Sequence, residues 1–161
     1  MRTGLGIDIH RFSKGRKLIL GGIEIPCQLG LKGISDADII LHSVSDAILG
    51  ALSLGDLGDY FPPENPKNRG ISSIKILKKV LSFLKQGKIN NLDITLITEK
   101  PRLKEYKDKI TSNISKLLSL PKNRVNLKVK SQEALIPAKK GCAICLSIVT
   151  IKSSLVRRGR I

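Results

Sequence analysis

Tryptophan is absent from this 161-residue chain, and only three Phe and two Tyr accompany the aliphatic residues. A buried core must therefore come from Ile, Leu, Val and Ala. The same scarcity removes the aromatic platforms on which single-stranded nucleic acids stack. No apolar run approaches the roughly 20 residues that span a bilayer. Met1-Arg2-Thr3-Gly4 lacks the apolar stretch of a secretory signal. These absences predict a soluble, cytoplasmic protein with no membrane partner. Three cysteines (Cys27, Cys142 and Cys145) cannot all pair within one chain, so reduced thiols are expected. Cys142 and Cys145 form a lone C-x-x-C in an apolar run where a strand would point them to opposite faces. That reads as buried structural cysteine rather than half of a zinc site.

Acidic residues are few: 13 Asp and Glu against 29 Lys and Arg, a formal charge of +16. Twenty of the basic residues are Lys, spread along the chain, and no helix-turn-helix or zinc-finger spacing accompanies them. The excess reads as a solvated surface that draws anionic small molecules; a nucleic-acid-binding domain is the alternative. Repeats and low-complexity linkers are missing too. One domain over 1–152 is expected, with 153–161 a disordered basic tail.

What is present alternates between strand and helix patterns. Residues 2–9 suit a strand ending at Asp8-Ile9-His10, and 17–26 suit a second extended segment bent at Gly21-Gly22. Apolar residues at helical spacing mark 38–54, with Ser35 or Asp36 as a plausible cap. The turn formers of 55–70 predict loop. Helices at about 72–86 and 104–119, strands at 92–98 and 125–130, a polar loop at 131–141 and a last, central strand at 143–151 complete the order. Segments this short exclude a Rossmann-type sheet and predict an α+β, two-layer sandwich.

Only two histidines occur, and both invite a metal. Asp8 and His10, two apart on a strand, share a face. His42 lies on the 38–54 helix, one turn before Asp46. Two imidazoles and a carboxylate with one open position are a common catalytic zinc set, although the same set holds non-haem iron. By spacing alone a structural His42 competes with a ligand. Asp46 reads as either a partner orienting the imidazole or an exposed helix charge.

Wider motifs favour the ligand. Gly4-Leu5-Gly6-Ile7-Asp8-Ile9-His10-Arg11-Phe12, Gly21-Gly22-Ile23-Glu24-Ile25-Pro26, Ser35-Asp36-Ala37-Asp38 and Leu41-His42 resemble those of the 2-C-methyl-D-erythritol 2,4-cyclodiphosphate synthases. The likeness continues through Asp46-Ala47-Ile48-Leu49-Gly50-Ala51, Leu54-Gly55-Asp56-Leu57-Gly58, Phe61-Pro62, Glu99-Lys100-Pro101-Arg102-Leu103, and Glu133 with Leu135. The resemblance implies a small mixed sheet flanked by helices, in a homotrimer with active sites between subunits. It implies conversion of 4-diphosphocytidyl-2-C-methyl-D-erythritol 2-phosphate to the cyclodiphosphate with release of CMP, in non-mevalonate isoprenoid synthesis. Asp8, His10 and His42 would hold Zn²⁺, and Glu133 would help hold a second divalent ion, Mg²⁺, on the substrate diphosphate.

Further site residues follow from the same likeness. Ile9, Ile34 and Ser35 would adjoin the metal ligands around the substrate. Asp56, Leu57 and Gly58 would line the methylerythritol pocket, with Phe61, Pro62, Pro63, Glu64 and Asn65 nearby. Thr98, Glu99, Lys100, Pro101, Arg102, Leu103 and Lys104 would form the cytidine and phosphate pocket. Lys130, Ser131, Gln132, Glu133, Pro137 and Lys140 would border the phosphates, with Ser131, Glu133 and position 34 in catalytic places.

The pattern also departs from the resemblance. Ile34 stands where the family usually has a phosphate-contacting His, and an apolar side chain supplies no such contact. Lys130-Ser131-Gln132 replaces a threonine run, Pro63 an Asp, and Cys142 an acidic residue, while Lys140 keeps a positive charge. A metal-binding trimer that has lost turnover and serves as a scaffold is therefore a second expectation.

Overall fold

The structure is a computed structural model that describes residues 1–85, 87–133 and 141–152. Strand β1 (Arg2–Lys14) leads into the short strands β2 (Leu18–Leu20), β3 (Ile23–Ile25) and β4 (Leu29–Leu31). Helix α1 (Ile39–Leu52), the single turn α2 (Leu57–Tyr60) and helix α3 (Ser73–Leu81) follow. Strand β5 (Lys88–Ile97), helix α4 (Lys107–Leu118) and strands β6 (Val125–Lys130) and β7 (Cys142–Lys152) complete the chain. Five strands form one mixed sheet in the order β4-β1-β7-β5-β6, in which only β5 and β6 run parallel. The last strand is central, as the apolar run 143–151 predicts.

Alternation along the strands divides the sheet into two unlike faces. One face carries Leu92, Ile94, Leu96, Cys145, Val149 and Ile151, each fully buried, and α1 packs there across β1 and β7. Helix α1 is apolar almost all round because α3 covers its other side. The opposite face shows Leu5, Ile7 and Ile9 of β1 and Ile148 of β7, at 45–60% exposure. Exposed apolar strips of this kind commonly mark interaction surfaces.

Several boundaries differ from the sequence expectation. Strand β1 runs on past His10 to Lys14 because Phe12–Lys14 pair with β4, a three-residue strand too short to leave a pattern. The cap of α1 is Asp38, whose carboxylate accepts from the N–H groups of Ile40 and Leu41, rather than Ser35 or Asp36. Within the expected 55–70 loop, Asp56 and Asp59 form a capping box that folds α2. Strand β5 begins four residues early, at Lys88, drawn in by pairing with the end of β7. Pro137, Lys140 and the tail from 153 lie outside the described residues.

Two glycines of β1 set the depth of the α1 contact. A Cβ at Gly4 would overlap the carbonyl oxygen of Ala47, and one at Gly6 that of Ser43. Gly50, exposed along the β1 side of α1, has ordinary contact room instead: its imagined Cβ lies 3.7 Å from the nearest atom, the Leu5 carbonyl oxygen. Opposite outcomes follow for the same change. Gly6→Ala should destabilise the protein by about 1–3 kcal/mol through overpacking, whereas Gly50→Ala should stabilise it by roughly 0.5–1 kcal/mol by raising helix propensity. Thermal unfolding of the two variants checks the sign of each.

Candidate metal centre

Beyond Gly4 and Gly6, the next two residues on the same face of β1 are Asp8 and His10. Helix α1 begins beside them, and His42 stands one turn after the cap, its N–H donating to the Asp38 carbonyl at 3.0 Å. Asp8 Oδ2 lies 3.0 Å from His10 Nε2 and 3.1 Å from His42 Nδ1. The two nitrogens are 3.5 Å apart. Donors about 2.0 Å from a tetrahedral ion stand about 3.3 Å from one another, and the observed separations straddle that value. Among the described residues this is the one group of three ligating side chains close enough to share an ion.

The outer ring nitrogens support the same reading. His10 Nδ1 lies 2.7 Å from the Lys32 carbonyl, which can only accept, so the proton sits there and Nε2 turns its lone pair inward. His42 Nε2 lies 2.9 Å from Ser73 Oγ and 3.2 Å from Ser35 Oγ, leaving Nδ1 to face Asp8. Three acceptor atoms thus converge, an arrangement that a cation relieves. A proton competes with a cation for this centre: burial opposes ionisation of Asp8, but hydrogen bonds and charge from protonated imidazoles of His10 and His42 outweigh it and hold the carboxyl well below the usual range. For His10, burial lowers the imidazole pKa, yet Asp8 more than offsets this and raises it. The donor set fits a divalent cation.

A cavity of about 480 Å³ opens over the triad. Ile34 and Ser35 line it from the loop before α1, and Leu57, Gly58, Phe61 and Pro63 from the segment around α2. Arg16 shapes the first wall by donating to the carbonyls of Gly33 (2.9 Å) and Ser35 (2.5 Å). Ile34 is 44% exposed between these two anchors. The cavity also takes in Asp46, expected only as a partner of His42 or an exposed charge, and Gly33, Asn68, Ile71 and Ile76, which the site expectation did not include. The three outside 33–46 sit in or beyond the turn-rich 55–70 region, where only folding back over α1 brings them near.

Other expected site residues take different places. The side chain of Ile9 points to the opposite sheet face, 60% exposed, while its N–H donates to Asp8 Oδ1 at 2.9 Å. Asp56 caps α2, Asn65 caps the following turn, and the Pro62 carbonyl accepts from Asn68. Glu64 is exposed. Asp46 does not hold His42; its carboxylate accepts from the N–H of Leu57 at 2.9 Å and so fixes the α2 turn. Neither 98–104 nor 130–133 lines the cavity.

Those two segments meet each other instead. Glu99 Oε1 accepts from the Gln132 N–H at 2.6 Å, and the Gln132 side chain, almost fully buried, donates to the Cys142 carbonyl. Thr98 is buried and donates to the Lys100 carbonyl at 2.8 Å, while Leu103 is part of the core. Lys100, Arg102 and Lys104 are exposed, and Lys130 is exposed at the end of β6. Ser131 donates to Glu133, which stands at a positive φ of 48°. Cys145 packs against Ser43 on the α1 face, where burial pushes its thiol up to about 12, and Cys142 lies on the other face. The C-x-x-C pair therefore cannot close on one ion.

A model of the YgbB family matches residues 1–152. The chain belongs to the YgbB family. It is 47% identical to the 2-C-methyl-D-erythritol 2,4-cyclodiphosphate synthase of Brachyspira hyodysenteriae over 94% of this chain and 97% of that protein. With the synthase of Clostridioides difficile it shares 42% identity over 96% of this chain and the full length of the other. A solved 2C-methyl-D-erythritol-2,4-cyclodiphosphate synthase in a CDP-bound form superposes with a TM-score of 0.87 at 31% identity, covering 94% of this chain and all of that one. Family membership thus runs through the strand, helix and loop that build the triad.

Asp38 supports the triad from beneath. Fully buried, its carboxylate accepts from Gly21 (2.8 Å) and Gly22 (2.5 Å) in the β2–β3 turn as well as from Ile40 and Leu41. Asp38→Ala should strand these four N–H groups and cost about 2–4 kcal/mol. That corresponds to a fall of roughly 5–15 °C in the melting temperature of metal-free protein.

Proposed function

We propose that this chain converts 4-diphosphocytidyl-2-C-methyl-D-erythritol 2-phosphate to 2-C-methyl-D-erythritol 2,4-cyclodiphosphate and CMP. The observation that carries the reading is the convergence of Asp8, His10 and His42 at the floor of a cavity, in a chain of this family. In the reaction an oxygen of the 2-phosphate bonds to the β-phosphorus, the bond from that phosphorus to the bridging oxygen breaks, and CMP leaves with the electron pair. No residue need become covalently attached; the protein's task is to hold the substrate folded and to balance its charge.

Asp8, His10 and His42 would hold Zn²⁺, and Glu133 would help hold Mg²⁺ at the diphosphate. When bound, these ions supply Lewis-acid neutralisation of the phosphate oxygens. Leu57, Gly58 and Phe61 offer an apolar wall for the methylerythritol carbons. Ser35 and Ser131 offer hydroxyl donors, and the surface of 98–104 with Lys100, Arg102 and Lys104 offers charge and backbone groups to the cytidine diphosphate. The +16 charge raises the local concentration of so anionic a substrate.

The working form is a homotrimer in the cytoplasm. Two observations favour the assembly. The apolar strip of Leu5, Ile7, Ile9 and Ile148 needs cover, and 98–104 with 130–133 are absent from the cavity that the triad floors. A neighbouring subunit would bring those segments to it. None of the described helices is long and apolar enough to cross a membrane.

Ile34 separates this reading from a scaffold that binds metal without turnover. Purified protein with Zn²⁺ and Mg²⁺ should release CMP from the cytidyl substrate, and a chelator should stop it until Zn²⁺ is returned. Ile34→His should raise kcat, by up to about 10²-fold if the imidazole reaches the phosphates. A wild-type chain that binds zinc but releases no CMP would establish the scaffold instead.

A further inference from the structure

Helix α3 touches the metal centre through one residue that neither the motif spacing nor the cavity wall marks. Ser73, its first residue, is fully buried, and its Oγ lies 2.9 Å from His42 Nε2. The Ser73 hydroxyl donates to Asp36 Oδ1, and the Ser73 N–H donates to Asp36 Oδ2 at 2.9 Å. A hydroxyl has one proton. With that proton committed to a carboxylate, the Ser73 oxygen is an acceptor toward the ring, and the proton between them belongs to His42 Nε2.

We propose that Ser73, anchored by Asp36, is the positioning residue that sets the orientation and tautomer of His42 for metal binding. The proposal rests on the metal-centre reading above. Asp36 is itself held in place, its N–H donating to the Ile71 carbonyl at 3.1 Å and Oδ1 accepting from the Asp38 N–H at 3.3 Å. Ser35 Oγ, 3.2 Å from the same nitrogen, already accepts from the Ala37 N–H at 3.0 Å and is the weaker partner. The carboxylate–hydroxyl–imidazole line does two things. It leaves the Nδ1 lone pair as the only one the ring can offer toward Asp8 and His10, and it draws the Nε2 proton outward, which makes Nδ1 a better donor to a cation. Asp46, the nearer candidate in sequence, is occupied with Leu57. Ser73 does not line the cavity, so it acts through His42 and not on substrate.

The test measures Zn²⁺ affinity by chelator competition on the full chain, alongside the melting temperature of each metal-free variant. Ser73→Ala should weaken Zn²⁺ binding by about 10–100-fold, with Ser73→Thr recovering most of the loss. Asp36→Asn, which leaves Ser73 in place, should weaken binding in the same direction and serves if the position 73 variants fold poorly. In zinc-loaded wild type the His42 Nε2 proton should be visible by ¹H–¹⁵N NMR, and in folded Ser73→Ala it should broaden through exchange. Wild-type affinity in folded Ser73→Ala and Asp36→Asn overturns the proposal. Failure of the wild type to take up Zn²⁺, or unchanged uptake by His42→Ala, overturns instead the metal-centre reading beneath it.

Discussion

Helix α1 lies on strand β1 closer than side chains would allow, and the metal triad is a consequence of that approach. Gly4 and Gly6 remove the Cβ atoms that would meet the carbonyls of Ala47 and Ser43. The same strand face then continues with Asp8 and His10, two and four residues on. A helix seated this low brings His42, near its N-terminal end, level with Asp8. One carboxylate oxygen can then serve both imidazoles, at 3.0 and 3.1 Å. Packing and chemistry are therefore a single arrangement: the alternation Gly-x-Gly-x-Asp-x-His is a groove for a helix followed by two side chains that meet one of its residues.

The loop before α1 fixes the other end of that helix. Asp36 and Asp38 are separated by Ala37 at a positive φ of 57°, a conformation an alanine adopts only under constraint. The kink points the two carboxylates at different clients. Asp38 gathers the N–H groups of the β2–β3 turn and of α1, while Asp36 holds the start of α3. Buried carboxylates are tolerable here because each oxygen is met by donors. The motif Ser35-Asp36-Ala37-Asp38 thus works as a junction between two helices and a hairpin, with the metal centre above it.

Much of this was legible from residue order alone, and the limits are physical. The period-two and period-3.6 patterns locate β6 to the residue and α1 to within two, because each buries one continuous face. The parity of Asp8 and His10 and the scarcity of histidine point to the candidate triad, but spacing alone leaves His42 open between ligand and structural residue, and the wider motifs decide it. Strand β4 was not legible, since three residues carry no period and Leu29–Leu31 exist as strand only by pairing with the far end of β1. Sequence spacing also offers Asp46, one helical turn away, as either a partner of His42 or an exposed helix charge. The fold supplies Ser73 instead, 31 residues distant, since the outer ring nitrogen faces α3 and not the helix's own next turn. Ile71 and Ile76 entered the cavity for the same reason: long-range packing leaves no local signature.

The divided design also explains how position 34 can vary. Its neighbours are fixed through their backbones, Gly33 and Ser35 by Arg16, and the Ile34 carbonyl accepts from the Gly70 N–H at 2.8 Å. The side chain itself lies outside the buried core, 44% exposed, and lines the cavity. No ligand to the metal depends on it, since His10 is oriented by Lys32 and His42 by Ser73. An isoleucine there leaves the three donors where they are. What it changes is the polarity of one cavity wall; in the proposed reaction a donor missing there would be felt in the transition state more than in the ground state. In the proposed reaction, metal binding and turnover would thus be borne by different residues of one small cavity, so that the second could be tuned while the first stays intact.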